Sequence, residues 1–120
     1  MSRSHSLGEW GEATARLFLE QCGYRCLDRR FRRPGGEIDL VCARGGLLVF
    51  VEVKTRGPRC PVPLDETVAS PQLRRLRRMA RIWLVEHPGN RWDNLRFDVV
   101  LVSYRGCAGG AEIRHLTAVG

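Results

Sequence analysis

The sequence predicts a mixed α/β fold, with one β-sheet flanked by helices in the order αβββαββ. Gly45-Gly46 separates two apolar runs, which is typical of a β-hairpin. One amphipathic stretch before the hairpin and one after it have helical periodicity and capping signals. A later run, residues 95–104, is apolar enough for an interior strand of a covered sheet. Together these elements predict helices packed on a mixed sheet.

The first helix is predicted over residues 7–22. Ser6 with Glu9 three residues later forms a capping box, and Gly23 supplies a helix stop. Glu12 shares a stripe with small and apolar residues three or four positions away, so we expect it to face the sheet. The alternative is an ordinary exposed helical glutamate. The residues expected on the solvent side are Glu9, Arg16 and Glu20.

Residues 24–33 are predicted to form a strand that enters the hairpin, with a turn at residues 34–36. Phe31 lies among four arginines, of which Arg30 and Arg32 are candidates for contacting phosphates while the ring stacks or packs. The alternative is an edge strand that its charges protect from aggregation.

The hairpin strands are predicted at residues 36–44 and 47–55. Because strand side chains alternate between faces, Glu37 shares a face with Asp39, and Glu52 shares one with Lys54. We expect Asp39, Glu52 and Lys54 to meet at one end of the hairpin. Charged groups on interior strands are costly unless they are paired or bind a metal. The role of Glu37 stays open.

Lys54 is the only lysine among the 20 Lys and Arg residues. Arginine binds as a planar fork, whereas lysine is a compact point charge, so the two are not interchangeable. This lysine lies two residues from a carboxylate on a buried strand. That position favours a functional role for Lys54 over the alternative that it is present by chance in an arginine-rich chain.

Residues 57–69 are predicted to be a loop that leaves the second hairpin strand, where Arg56 and Arg59 are placed to meet a backbone phosphate. A second helix is predicted from Ser70 to Glu86. Its expected buried stripe is Leu73, Leu76, Ala80, Trp83 and Leu84. We expect the other side of this helix to bind DNA because it is crowded with arginines; the alternative is a merely solvated face. These arginines are Arg74, Arg75, Arg77, Arg78 and Arg81.

The last two strands are predicted at residues 95–104 and 111–119. Asp98 is expected to be a structural partner for an arginine rather than a metal ligand. His115 is given no chemistry, because the sequence shows no partner for it.

Composition limits the classes of function. At 120 residues the chain predicts one domain, and its net charge of +7 favours a nucleic-acid partner, although many small basic proteins bind none. No run reaches the roughly 20 apolar residues of a membrane helix. The start of the chain resembles no signal peptide, so a cytoplasmic location is expected. Five cysteines without metal-ligand spacing are expected to be reduced thiols that act as small hydrophobes.

Three blocks carry a family resemblance: GEWGEATA at residues 8–15, GEIDL at 36–40 and FVEVKTR at 50–56. Together they resemble the YraN/UPF0102 family over the chain to about Val102, and the run at residues 96–99 also fits. Asp39 followed by Glu52-x-Lys54 resembles the signature of the PD-(D/E)XK nuclease superfamily, which includes archaeal Holliday-junction resolvases. The family often has a lysine near the start of the second helix, where this chain has Gln72.

The resemblance implies a restriction-endonuclease-like core spanning residues 1–120 and a metal-dependent DNA endonuclease, with branched DNA as a candidate substrate. It implies that Mg²⁺ or Mn²⁺ is held by Asp39, Glu52 and the main-chain carbonyl of Val53, and that Lys54 orients water or stabilises negative charge. Glu12 is expected to complete the metal shell or bind a second ion. RNA and a homodimer are left open, and no membrane partner is expected.

Two other functions stay open from the sequence. One is a non-catalytic nucleic-acid-binding module with a silent nuclease site, which would bind DNA in a salt-dependent way without cutting it. The other is an adaptor whose arginines bind an acidic protein partner.

Overall fold

The computed structural model describes residues 6–57, 70–89, 91–105 and 110–119. Over these ranges the order αβββαββ predicted from the sequence is confirmed. The elements are α1 (Ser6–Gln21), β1 (Arg25–Arg33), β2 (Gly36–Arg44), β3 (Leu47–Arg56), α2 (Ser70–Glu86), β4 (Asn94–Tyr104) and β5 (Ala111–Leu116). Of the loop predicted at residues 57–69, all but residue 57 lies outside the described residues.

The five strands form one mixed sheet in the order β1-β2-β3-β4-β5. β3 and β4 are parallel and are connected through α2, whereas every other neighbouring pair is antiparallel. Each helix packs with its own cluster of buried strand residues, α1 on one face of the sheet and α2 on the other. Of the helices that the structure describes, neither combines the length and apolar character needed to cross a membrane.

The core beneath α2 is built around aromatic side chains. Phe50 packs edge-on against Trp83 at 5.9 Å between ring centroids and stacks on Phe97 at 5.7 Å. Met79, absent from the predicted buried stripe, is fully buried here, whereas Leu73 and Leu84 are only half-buried. Met79 is buried because its side chain lies close over the glycine that begins β2.

Gly23 ends α1 with a left-handed φ of 94°. Its N–H donates to the Glu20 carbonyl, and the N–H of Tyr24 donates to the Leu19 carbonyl, both at 3.0 Å. These two bonds are a Schellman motif, and Leu19 and Tyr24 pack in the same buried cluster, as that motif favours. The helix stop predicted from Gly23 is therefore confirmed.

The last strand is shorter than expected. β5 ends at Leu116, not at Val119, because Ala118 adopts a left-handed φ of 55° that takes the chain out of the extended conformation. The N–H of Val119 then donates to the Phe97 carbonyl at 2.8 Å, so the segment after β5 still packs against β4.

Gly11 lets α1 approach the end of β3. A Cβ atom at this position would lie 2.0 Å from Oγ1 of Thr55 and 2.9 Å from its Cβ. Real Cβ atoms do not tolerate such contacts, so only glycine fits here. This close approach places the following helical residue, Glu12, beside the end of β3.

Candidate active site

The sheet divides at the middle of β3. The β2–β3 register runs from Leu40↔Val51 towards the hairpin turn, whereas β3 stays paired with β4 as far as Arg56↔Ser103. The second half of β3 therefore extends beyond its β2 register. Asp39 bridges this opening, because its Oδ2 accepts a hydrogen bond from the Val53 N–H at 2.7 Å.

Glu52 and Lys54 flank the main-chain group that binds Asp39. Residues two apart on a strand share a face, and Nζ of Lys54 lies 3.0 Å from Oε1 of Glu52. The side chain of Lys54 is only 20% exposed, and that of Glu52 is 25% exposed. The structure thus brings the three residues predicted from the sequence to one place, at the point where β2 and β3 separate.

Asp39 is the titratable group most altered by this arrangement. The pKa of Asp39 is raised to about 7, chiefly by burial and also by the negative charges of Glu12, Glu37 and Glu52, whereas the Val53 hydrogen bond opposes the shift. A carboxyl group held so close to three others needs a proton or a cation to compensate its charge. Perturbed acids of this kind are frequent at functional sites.

Glu12 contributes to this site from α1. Its Oε1 accepts a hydrogen bond from Nε of Arg30 at 3.0 Å, and its side chain is 24% exposed. Arg30 has a left-handed φ of 51°, and the ion pair with Glu12 raises its pKa. Glu12 is half-buried beside the sheet and acts on Asp39 electrostatically. Its role as a ligand stays a prediction.

The oxygen donors suit a hard divalent cation. Mg²⁺ and Mn²⁺ prefer carboxylate and carbonyl oxygens, and Asp39, Glu52 and the Val53 carbonyl are of that type. Across the described ranges, no group of three or more His, Cys, Asp and Glu side chains is placed to hold a metal. The predicted set needs only two such side chains because its third ligand is main-chain. The raised pKa of Asp39 is the observation that fits an added cation.

The arginines predicted to bind nucleic acid lie in several places. Arg74, Arg75 and Arg78 are exposed on α2, and Arg78 also donates to the Gly35 carbonyl at 2.9 Å. Arg32 is exposed and its Nε lies 2.7 Å from Glu37.

Arg56 lies at the end of β3, and its buried Nε has no hydrogen-bond partner within the described part of the chain. Arg59, the remaining predicted phosphate contact, lies outside the described residues. The roles of these arginines in binding nucleic acid stay predictions.

A cavity of about 380 Å³ adjoins the site, and the sequence did not predict it. Arg16, expected on the solvent side, is half-buried here with a buried Nε. The expectation was wrong because Arg16 lies in the cavity between α1 and the sheet, which Arg29 and Arg30 of β1 also line. The signal was the spacing of Arg16 four residues after Glu12, which places both on one helix face. The lining residues are Glu9, Glu12, Ala13, Arg16, Arg29, Arg30 and Leu40.

Asp98 is a structural anchor, as predicted. It is completely buried and receives two hydrogen bonds from Arg96, at 2.7 and 2.8 Å. His115 was given no partner from the sequence, but its Nε2 lies 2.7 Å from Oδ2 of Asp98. The antiparallel pairing of β5 with β4 brings them together, and that pairing is not visible in the local sequence.

The mixed sheet, its order αβββαββ and the position of the three clustered residues are consistent with the restriction-endonuclease-like class of α/β domains. The profile of a family described as "Uncharacterised protein family UPF0102" matches residues 11–102. The chain belongs to the UPF0102 family.

Similar proteins cover nearly the whole chain. A UPF0102 protein of Beutenbergia cavernae is 42% identical over 120 residues, covering 100% of both chains. A UPF0102 protein of Frankia alni is 42% identical and covers 97% of this chain and 95% of its own. A UPF0102 protein of Roseiflexus castenholzii is 40% identical, covering 95% and 92% respectively.

Proposed function

We propose that this protein is a metal-dependent endonuclease that hydrolyses phosphodiester bonds in DNA. The observation that carries the proposal is the carboxyl group of Asp39, bound to the Val53 N–H between Glu52 and Lys54 where β2 and β3 separate. Two carboxylates and one ammonium on neighbouring strands suit the recognition of a phosphate together with a divalent cation.

Asp39 and Glu52 would hold Mg²⁺ or Mn²⁺ together with the Val53 carbonyl, and Glu12 is the candidate for a further ligand. When bound, the cation supplies positive charge at the phosphate and lowers the pKa of water. Lys54 has a separate task. Its ammonium group, fixed by Glu52 at 3.0 Å, orients the attacking water or stabilises the negative charge that develops on the phosphate.

Arginines would position the nucleic acid. Arg56 lies two residues beyond Lys54 at the end of β3, and the exposed arginines of α2 add positive charge on the other side of the sheet. Contacts of this kind bind phosphates without reading the sequence. The preference for branched DNA implied by the family resemblance is part of the proposal, and RNA is the competing substrate to include in the test.

The test is a cleavage panel of duplex, single-stranded and four-way-junction DNA and single-stranded RNA, with Mg²⁺, Mn²⁺ or EDTA. We expect metal-dependent cutting of DNA. Removing a positioned charge of this type typically costs about a hundredfold or more in rate, so Lys54→Ala and Asp39→Asn should each lower cutting by at least that factor. Asp93→Asn is the control, since exposed Asp93 lies near Gly46, at the other end of β3.

Absence of cutting on every substrate would overturn the proposal. So would cutting that survives both Lys54→Ala and Asp39→Asn, because a contaminating nuclease would behave in that way.

A non-catalytic nucleic-acid-binding module is the second candidate. It is favoured by the ion pairs of Lys54 with Glu52 and of Arg30 with Glu12, because these pairs already compensate carboxylates that the metal site would use. It predicts DNA binding that weakens as salt rises, with no cutting and no change in affinity when Mn²⁺ replaces EDTA.

A further inference from the structure

Cys26 and Cys42 are direct partners across two strands. They face each other in the antiparallel register of β1 and β2. Residues opposite each other in such a pair point to the same face, with Cα atoms roughly 4.5–5.5 Å apart. This separation lies within the roughly 4.4–6.8 Å that disulfides span. Cys42 belongs to the buried cluster beneath α1 and Cys26 packs against that cluster, so the strands place the two side chains side by side on one face of the sheet.

The two thiols are chemically unequal. The pKa of Cys26 is lowered to about 7, chiefly by a hydrogen bond from Cys42 and also by the guanidinium of Arg16 and a main-chain contact with Asp28, whereas burial and Glu20 oppose the shift. The same hydrogen bond and burial raise the pKa of Cys42. Cys26 is therefore the better nucleophile of the pair at neutral pH, because the thiolate is the reactive form.

The two thiols also differ in their access to solvent. Cys42 is 1% exposed, whereas Cys26 is half-buried and lines an open cleft of about 290 Å³. The cleft is also lined by two basic residues, Arg16 and Arg29, and by two acidic residues, Glu20 and Asp28. A small oxidant can enter here and reach Cys26 first, after which Cys42 is the nearest second thiol.

We propose that Cys26 and Cys42 form a redox-active pair that a hydroperoxide converts into an intramolecular disulfide. The Cys26 thiolate attacks one oxygen of hydrogen peroxide, the O–O bond breaks, and hydroxide leaves with the electron pair to give Cys26 sulfenic acid. The sulfur of Cys42 then attacks the sulfur of Cys26. The S–S bond forms, the S–O bond breaks, and the proton of Cys42 leaves with the hydroxyl group as water.

Two thiols and one peroxide thus give one disulfide and two waters. The competing explanation is that both cysteines only fill space in the core as small hydrophobes. It predicts that they stay reduced, or that Cys26 is oxidised alone, beyond the sulfenic stage. The pair does not depend on the proposed nuclease activity, so either proposal can fail while the other stands.

The first experiment uses a variant in which Cys22, Cys60 and Cys107 are replaced by serine, which leaves only Cys26 and Cys42. After hydrogen peroxide we expect free thiols to fall from two to none per chain, with no covalent dimer. We also expect a non-reduced tryptic digest to join the peptide that begins at Cys26 to the one that ends at Arg44. Dithiothreitol should restore both thiols. Peptide mapping of the wild-type chain is the parallel measurement if the serine variant folds poorly.

Sulfinic or sulfonic acid on Cys26 with Cys42 still a thiol would overturn the proposal. A link that joins two chains instead of one would also overturn it.

The second experiment measures iodoacetamide alkylation of Cys26 at pH 7 in the reduced chain. Cys42→Ala removes the hydrogen bond that stabilises the thiolate, so alkylation should slow by about tenfold. Exposed Cys22 supplies the matched control, and Cys22→Ala should leave the rate unchanged. An unaltered rate in Cys42→Ala would contradict the assigned role of Cys42.

Discussion

The carboxyl group of Asp39 belongs to β2 but is bound by the main chain of β3. A side chain has here taken over a main-chain donor beyond the last β2–β3 register pair. The donor is satisfied, yet the carboxyl group is buried among other acids, which holds its pKa near 7. Hydrogen bonding and electrostatics therefore act on this residue in opposite directions.

This opposition predicts a pH-dependent stability. The folded pKa of Asp39 is about 7 against an ordinary value of 3.8, so the folded chain binds more protons than the unfolded chain between these values. The stabilisation that comes from protonated Asp39 is complete below about pH 4. As pH rises through 7 it is lost, which lowers the free energy of unfolding by up to about 4 kcal/mol. Asp39→Asn keeps an oxygen acceptor for Val53 without the charge, so it should be more stable than wild type at pH 8.

Urea unfolding at pH 4, 6 and 8 measures this difference. The gap between variant and wild type should grow with pH, and Mn²⁺ at pH 8 should narrow it by neutralising the Asp39 carboxylate. Asp93→Asn should show no such trend. A gap that is constant across pH would contradict the raised pKa.

For single residues, the sequence predicted which side chains lie near one another, but it did not predict the hydrogen bonds that they form. Alternation along two strands joined by Gly45-Gly46 was enough to bring Asp39 near Glu52 and Lys54. The bond from Val53 to Asp39 was not predictable, because it depends on where β2 and β3 separate. The contact of His115 with Asp98 depends on pairing between β4 and β5, which local periodicity does not encode.

Among the elements, the contact of α1 with β3 depends on one glycine. A methyl group at Gly11 would collide with Thr55, including its Cβ at 2.9 Å, so α1 would have to move away from the sheet. Alanine favours helices by up to about 1 kcal/mol, but overpacking typically costs about 1–3 kcal/mol. We expect Gly11→Ala to destabilise the chain by about 1–2 kcal/mol in urea unfolding.

Gly8→Ala is the matched control in the same helix. No atom lies within 4 Å of a Cβ at Gly8, so its alanine variant should be unchanged or more stable. Thr55→Ala should restore part of the stability lost in Gly11→Ala. If the two glycine variants behave alike, the close contact with Thr55 does not control the position of α1.

Helix ends and strand positions could largely be predicted from the sequence, because they depend on residues close together in the chain. Gly23 stops α1 through its own φ, which is a property of one residue. The early end of β5 at Leu116 was missed because alanine at position 118 gives no turn signal, and its conformation is fixed by contacts with β4. Met79 was missed because its burial depends on the glycine opposite it, Gly36.

For the whole molecule, the net charge of +7 is spread over several surfaces, and the exposed α2 arginines are one of them. If α2 contacts DNA, replacing Arg74 and Arg75 by glutamine should reduce the slope of log K against log salt by about 2. Fluorescence anisotropy with a labelled duplex measures this slope.

The control is Arg105→Gln with Arg114→Gln, which removes the same charge beside β5, where both arginines pair with Glu112. A smaller slope in the α2 variant alone would assign the contact to α2. Equal reductions in both variants would contradict a specific role for α2 and indicate only the effect of overall charge.

The buried carboxylate of Asp98 also links β5 to the rest of the sheet. It gathers groups from β4, from β5 and from the segment after β5, and Arg96 extends the set to the hydroxyl of Tyr24 after α1. Peeling β5 off the sheet would remove the hydrogen bonds of His115 and Ala118 and leave the buried anion with those from Arg96 on β4. The outermost strand, often the first part of a sheet to fray, is thereby tied to the centre of the sheet by a buried charge.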